Sequence, residues 1–217
     1  MQKSIVLYWQ PGCTSCLRAK EFLKTNSVDF KSINVAEDPD KLEELGKHGI
    51  KSVPVLKRGN SFLYAQVLSE MAEFLHIESK MANPLPVDIL VTRLDVILAA
   101  AQRYILQVPD SCLNNTLPGR KRTVRELSFH IFHIAECFIQ ATSGITLDDN
   151  ELNALPDNNL RTTKELAIYG GKVKEAVQNW WDMEPQTKGS EPLSTYFGPQ
   201  TLQIVLERTA WHSAQHT

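Results

Sequence analysis

Trp9-Gln10-Pro11-Gly12-Cys13-Thr14-Ser15-Cys16 is the stretch on which the reading of this chain turns. The apolar run Ile5-Val6-Leu7-Tyr8 precedes it, and an amphipathic run from Leu17 to Leu23 follows. A Cys-x-x-Cys at a strand-to-helix junction has the pattern of a redox pair. The junction predicts Cys13 at a helix N-terminus, where the positive end of the helix dipole favours a thiolate. Cys16 then falls one turn further on, within reach to resolve a mixed disulfide formed on Cys13.

Residues 1–78 alternate strand and helix signals. Residues 5–9, 30–35, 55 onward and 61–64 predict strands, and residues 14–26, 39–48 and 67–75 predict helices. Lys57-Arg58-Gly59-Asn60 is the turn between the last two strands. The order βαβαββα predicts a small α/β sandwich. Residues 79–86 contain Asn83-Pro84-Leu85-Pro86 and read as a linker, because proline stops the preceding helix and stiffens the connection. Residues 87–217 change grammar. Helical spacing recurs over 87–107, 123–142, 162–183 and 200–217, which predicts a four-helix bundle. Thr123-Val124-Arg125-Glu126 fits a capping box, and Gly170-Gly171 weakens the third helix locally. The expected fold class is therefore two-domain, α/β followed by all-α.

Composition narrows the function classes. A net charge of −2 over 217 residues gives no basic field for nucleic acid or an anionic membrane. No apolar run approaches the ~18 residues of a membrane span. Met1-Gln2-Lys3-Ser4 leads straight into a strand signal without a signal-peptide pattern. Four cysteines do not make a disulfide scaffold, and Cys112 and Cys137 read as buried or bystander thiols. A reducing, cytoplasmic setting is the expectation.

Three features in order resemble a glutaredoxin: Cys13-x-x-Cys16 after the first strand, Asn34-Val35-Ala36-Glu37-Asp38-Pro39, and Ser52-Val53-Pro54-Val55. The resemblance covers residues 5 to about 77 and implies a thioredoxin-type fold. It implies that Pro54 is a cis-proline facing the Cys pair, with the Val53 backbone open to a thiol peptide such as glutathione. The sequence departs from the family at two places. Thr14-Ser15 stands where many glutaredoxins have Pro-Tyr. Tyr64-Ala65-Gln66-Val67-Leu68 stands where a Gly-Gly-Asp-type turn usually holds the glutathione carboxylate.

The second half carries histidines. His212 and His216 lie four apart in the last helix, so they share a face and can chelate one ion. His130 and His133 lie in the second helix of the bundle. On the residues alone, a metal site and packed polar histidines are both open readings. Val124-Arg125-Glu126-Leu127-x-x-His130-Ile131 and Trp211-His212-x-x-x-His216 resemble a DinB-like four-helix bundle, the superfamily that includes thiol-dependent S-transferases and maleylpyruvate isomerases. That resemblance implies His130, His212 and His216 as metal ligands, with a divalent ion such as zinc, nickel or iron. His133 reads as a bundle-packing residue, with a neighbour of that site or an alternative ligand as the other readings, and Glu136 as an exposed or helix-pairing carboxylate. Trp180-Trp181 reads as packing. Arg120-Lys121-Arg122 reads as a solvated turn, and Asp148-Asp149-Asn150-Glu151 as a solubilising loop.

Two functions follow as expectations. One is an enzyme that exchanges thiols and disulfides at Cys13 and Cys16, coupled to a metal-dependent small-thiol transferase or isomerase site. Its substrates would be a small thiol with a disulfide or an electrophile. The other is a redox- or metal-responsive binding module that associates through its bundle, with Ile89, Leu90, Leu94 and Ile97 as the apolar face of a homodimer.

Overall fold

The computed structural model describes residues 4–79, 83–117, 122–183 and 192–217. The chain divides into two compact units, Met1–Asn83 and Pro84–Thr217. Of the expected linker, residues 80–82 lie outside the described residues, as do Arg120 and Lys121 of the basic turn.

In the first unit the order is β1 (Ile5–Trp9), α1 (Thr14–Thr25), β2 (Phe30–Asn34), α2 (Pro39–Gly46), β3 (Val55–Arg58), β4 (Ser61–Tyr64) and α3 (Leu68–Leu75). The strands form one sheet in the order β2-β1-β3-β4. β1 runs parallel to β2 and antiparallel to β3, and β4 is antiparallel to β3. Side chains alternate across a strand, so neighbours in β1 serve different cores. Leu7 and its partner Leu56 pack with Ala19, Phe22 and Leu23 of α1 and with Met71 of α3. Tyr8 and its partner Val55 pack with Leu45 of α2, Cys16 and Val53. The sandwich is therefore covered on both faces, and the Cys pair sits where β1 hands over to α1.

Helix ends fall one or two residues inside the expected bounds for clear reasons. α1 stops at Thr25 because the Asn26 side chain donates to Phe22 O at 2.8 Å and takes a helix-closing carbonyl. α2 stops at Gly46, and the chain then tightens into turns through His48 N–H to Leu45 O before Gly49 takes a left-handed φ of 76°.

The second unit is mostly helical: α4 (Val87–Ile105), a 3-10 turn (Asp110–Cys112), α5 (Val124–Thr142), α6 (Asp149–Leu152), α7 (Thr163–Met183) and α8 (Leu202–His216). α4 and α5 each pack against both α7 and α8. The core takes Leu90, Leu94, Leu98 and Ala101 from α4 and Phe132, Ala135 and Phe138 from α5, all at helical spacing. α5 begins with the full capping box. Thr123 Oγ1 accepts from Glu126 N–H at 3.2 Å, and Glu126 Oε2 accepts from Thr123 N–H at 2.7 Å. Trp180 packs edge-on against Phe138, with ring centroids 5.1 Å apart, so this pair belongs to the core.

Two expectations need correction. Leu90 and Leu94 are buried core residues of their own unit and Ile97 packs on that core, so only Ile89 of the expected dimer face is exposed. The acidic segment 148–151 is not a loop: it forms α6, with the Asp148 side chain accepting from Asn150 N–H at 2.7 Å as its N-cap.

Candidate functional site

Cys13 is the N-cap of α1 and is joined to Cys16 in a disulfide, with their Cα atoms 5.2 Å apart. The Cys13 Sγ accepts from the Cys16 backbone N–H at 3.1 Å. That amide is one of the unpaired donors of the first helical turn, and it stabilises negative charge on the outer sulfur. Cys16 is 1% exposed, whereas Cys13 is only partly buried. Cys13 is therefore the sulfur that solvent reaches, and Cys16 lies behind it. The Cys13 Sγ also lies 3.8 Å from Val53 O. The Val53–Pro54 bond is cis, and Pro54 O accepts from Ala65 N–H at 2.9 Å, which anchors this segment beside β4.

The surroundings of the pair are partly aromatic. Lys20, one turn beyond Cys16, places its Nζ over the Trp9 ring, 2.8 Å from the centroid. Burial, and then the neighbouring Lys24, lower the Lys20 pKa. The turn from β4 into α3 has buried side chains at Ala65, Gln66, Val67 and Leu68, and none is charged or hydroxylated.

In the second unit, His130 of α5 meets His212 and His216 of α8. Their available nitrogens lie within 4.8 Å of one another, and the Nε2 atoms of His130 and His212 are 3.0 Å apart. Burial, followed by the charges of His212, Arg122 and His216, holds the His130 pKa far below the ordinary imidazole value. Burial, followed by His216 and Arg208, does the same for His212. Both rings therefore keep an unprotonated nitrogen at neutral pH. His130 Nδ1 is buried with no hydrogen-bond partner among the described residues. Ser213, fully buried, donates from Oγ to Ile131 O at 3.0 Å and fixes the register of α8 against α5. The donor set suits a divalent transition ion: three imidazoles converge, at separations close to those of ligands sharing one ion.

Arg125, in the same motif as His130, secures the loop before α7. It donates to Leu160 O at 2.6 Å, Asp157 O at 2.6 Å and Pro156 O at 3.3 Å.

His133 lies one turn from His130 in a separate cluster that sequence reasoning passed over. Its Nδ1 is 3.2 Å from Glu136 Oε2, and its Nε2 is 2.8 Å from Glu151 O and 3.4 Å from Cys137 Sγ. Tyr169 of α7 donates to Glu136 Oε2 at 2.5 Å. Burial opposes charge on His133, but hydrogen bonding to Cys137 and Glu136 outweighs it and pushes its pKa up to about 10. The hydrogen bond from His133 lowers the Glu136 pKa. Burial, then the bond to Glu136, raises that of Tyr169. Cys137 is buried, as expected, and its sulfur also faces the His133 ring. The pattern His133-x-x-Glu136-Cys137 on one helical face was the available signal.

Comparison with known proteins concerns the first unit. The glutaredoxin family profile matches residues 5–63. A glutaredoxin-like 8.6 kDa protein from the rubredoxin operon of Clostridium pasteurianum is 40% identical over 24% of this chain and 71% of its own length. N-acetyl-S-hydroxy-L-cysteine reductase of Bacillus subtilis is 29% identical over 37% of this chain and 85% of its own. The global transcriptional regulator Spx of Lactiplantibacillus plantarum is 39% identical over 19% of this chain, which spans only 31% of that relative's length. The glutaredoxin-like protein NrdH-redoxin of Escherichia coli, a solved structure, is 26% identical, with a TM-score of 0.32 over 35% of this chain and 99% of its own. No described helix is long and apolar enough to cross a membrane. Through its first unit, with a Cys13–Cys16 pair on a glutaredoxin-like thiol redox fold, the chain belongs to the glutaredoxin-like family.

Proposed function

We propose that this protein is a thiol–disulfide oxidoreductase for oxidised low-molecular-weight thiols, with a metal-dependent thiol site in its helical unit. The observation that carries the first part is the position of Cys13: N-cap of α1, its sulfur held by the Cys16 amide, and Cys16 buried behind it. In the reduced pair, the Cys13 thiolate attacks one sulfur of a substrate disulfide RS–SR′. A Cys13–SR bond forms, and R′S⁻ leaves and takes up a proton. Cys16, deprotonated, then attacks Cys13 Sγ and releases RS⁻, which leaves the Cys13–Cys16 disulfide. Two electrons pass to the substrate, and an external dithiol or a pair of thiols restores the enzyme. Val53, next to Pro54, offers its carbonyl beside the sulfur as a backbone contact for the substrate.

Similarity to N-acetyl-S-hydroxy-L-cysteine reductase supports a small cysteine-type substrate. The stretch Tyr64–Leu68 lacks the Gly-Gly-Asp-type turn that usually holds the glutathione carboxylate. Glutathione is therefore one candidate among small thiols rather than a dedicated cofactor.

Residues 87–217 are read as a DinB-like bundle, supported by the two histidine motifs and by their convergence. His130, His212 and His216 would hold a zinc, nickel or iron ion, and such an ion when bound stabilises a thiolate at neutral pH. The chain's own part is to keep His130 and His212 unprotonated through burial and to fix α8 through Ser213.

The deciding experiment uses the full chain, reduced and freed of reductant, mixed with the disulfide of N-acetylcysteine. About two molecules of N-acetylcysteine should be released per chain in a single turnover as the two protein thiols are consumed, and a dithiol should sustain turnover. Cys13→Ser should abolish both, while Cys16→Ser should accumulate a Cys13 mixed disulfide visible by mass. Undiminished turnover in Cys13→Ser would dismiss the assignment. Stoichiometric oxidation without turnover, with a changed oligomeric state, would favour the redox-responsive module.

A further inference from the structure

The geometry points to a second metal site in the helical unit, formed by His133 Nε2, Cys137 Sγ and the Glu151 carboxylate, that takes a borderline-soft divalent ion of the zinc class. It is built from a different ligand set and does not rest on the three-histidine reading.

The donors already stand near their bound positions. Ligands sharing one tetrahedral ion at ~2.0–2.3 Å stand about 3.3–3.8 Å apart. His133 Nε2 and Cys137 Sγ are 3.4 Å apart, and His133 Nε2 and Glu151 Oε1 are 4.0 Å apart. All three donor atoms lie within 4.8 Å of one another. Sulfur, imidazole and carboxylate together suit zinc better than magnesium or calcium.

The surroundings also resemble those of a ligating histidine. Such a ring ordinarily hands its second nitrogen to a carboxylate, which fixes its orientation and raises its basicity. His133 Nδ1 faces Glu136 Oε2 at 3.2 Å, and Tyr169 fixes Glu136 in turn at 2.5 Å. Phe129 stacks on the His133 ring with centroids 4.7 Å apart, so the ring cannot turn away. His133 and Cys137 are buried, whereas the Glu151 side chain is 54% exposed on the four-residue α6. An ion therefore enters from the Glu151 side, where the one ligand that must close in is also the one free to move. Coordination replaces the Nε2 hydrogen bond to Glu151 O and releases the Nε2 proton and the Cys137 thiol proton to solvent.

The test is cobalt(II) titration of the full chain carrying Cys13→Ser and Cys16→Ser, which removes the other thiol pair. A thiolate on cobalt produces an intense near-ultraviolet charge-transfer band that a three-histidine site cannot produce. We expect this band to persist after His212→Ala with His216→Ala, to saturate there at one equivalent, and to bleach when zinc is added. It should vanish in Cys137→Ser and remain in Cys112→Ser. Glu151→Ala, an exposed change that spares the core, should weaken cobalt binding about tenfold or more. No band at excess cobalt, or a band unchanged in Cys137→Ser, would overturn the site and leave an ion-free His133–Glu136–Tyr169 hydrogen-bond cluster. Cobalt binding without that band, lost with His212 and His216, would instead support the three-histidine site alone.

Discussion

Gly170→Ala should destabilise the helical unit, although alanine is the better helix former. A Cβ at Gly170 would overlap three atoms of the Phe132 ring. Phe132 is 0% exposed, and a rigid ring has no flexible end to move aside. Overpacking of this kind costs ~1–3 kcal/mol, and with three ring atoms struck at once the upper part of that range applies. Removing glycine from a helix interior returns about 1 kcal/mol. The net expectation is a loss of ~2 kcal/mol, enough to lower the urea midpoint by about 1 M at an ordinary denaturant dependence. Trp180, Trp181 and Trp211 report on this unit, so unfolding is followed by tryptophan fluorescence in a Trp9→Phe background.

The second half of the prediction is compensation. Phe132→Leu alone leaves space in the core and is costly, but it clears the place where the new methyl goes. The double variant should therefore be more stable than the sum of the single changes by about 1–2 kcal/mol. Because α7 is held close to α5 at Gly170, Tyr169 reaches Glu136, and Gly170→Ala should weaken that bond as well. A Gly170→Ala protein as stable as the parent, or strictly additive costs in the double variant, would refute the close-approach argument.

Other perturbations test single contacts. Ser213→Ala removes the Oγ bond to Ile131 O and should cost about 1 kcal/mol in urea unfolding, with weaker metal uptake by the histidines of α8. Thr123→Ala removes half of the α5 capping box and should cost ~1 kcal/mol, read in the same way. Asp110 accepts from Thr163 N–H at 2.7 Å and Thr163 Oγ1 at 2.8 Å, and these bonds lower its pKa. Its contribution is present above the ordinary carboxylate value of about 3.9 and is lost as pH falls through the lowered value. The melting difference between wild type and Asp110→Ala should thus be largest near neutrality and shrink toward pH 3.

The sequence makes legible what is local. β1 and β4 can be bounded to the residue because β1 ends at Gln10-Pro11-Gly12 and β4 starts after Gly59-Asn60, although Lys57 and Arg58 of the expected turn belong to β3. The α5 cap is written in Thr123 and Glu126, three residues apart. α6 has a comparable signature, since Asp148 precedes Glu151 by the same interval, but a four-residue helix offers no hydrophobic period to expose it. What stays hidden is which histidines meet what. His130 and His212 are 82 residues apart, and only the packing of α5 on α8 sets their nitrogens at 3.0 Å. His133, Glu136 and Cys137 share a helical face and could be grouped by spacing. Glu151 and Tyr169 could not, because they arrive from α6 and α7.

Helical spacing also cannot decide which way a histidine's neighbours push its charge. On the same helix, one turn apart, His130 is driven neutral by burial beside other imidazoles, whereas His133 is held protonated by bonds to Cys137 and Glu136 that outweigh its burial. The two rings are the same residue with opposite chemistry. His130 offers a lone pair as it stands, and His133 offers one only in exchange for a proton. Metal uptake at the first position should therefore release less acid than uptake at the second. Proton release per ion, measured in weakly buffered solution against the Cys137→Ser and His212→Ala variants, separates the two.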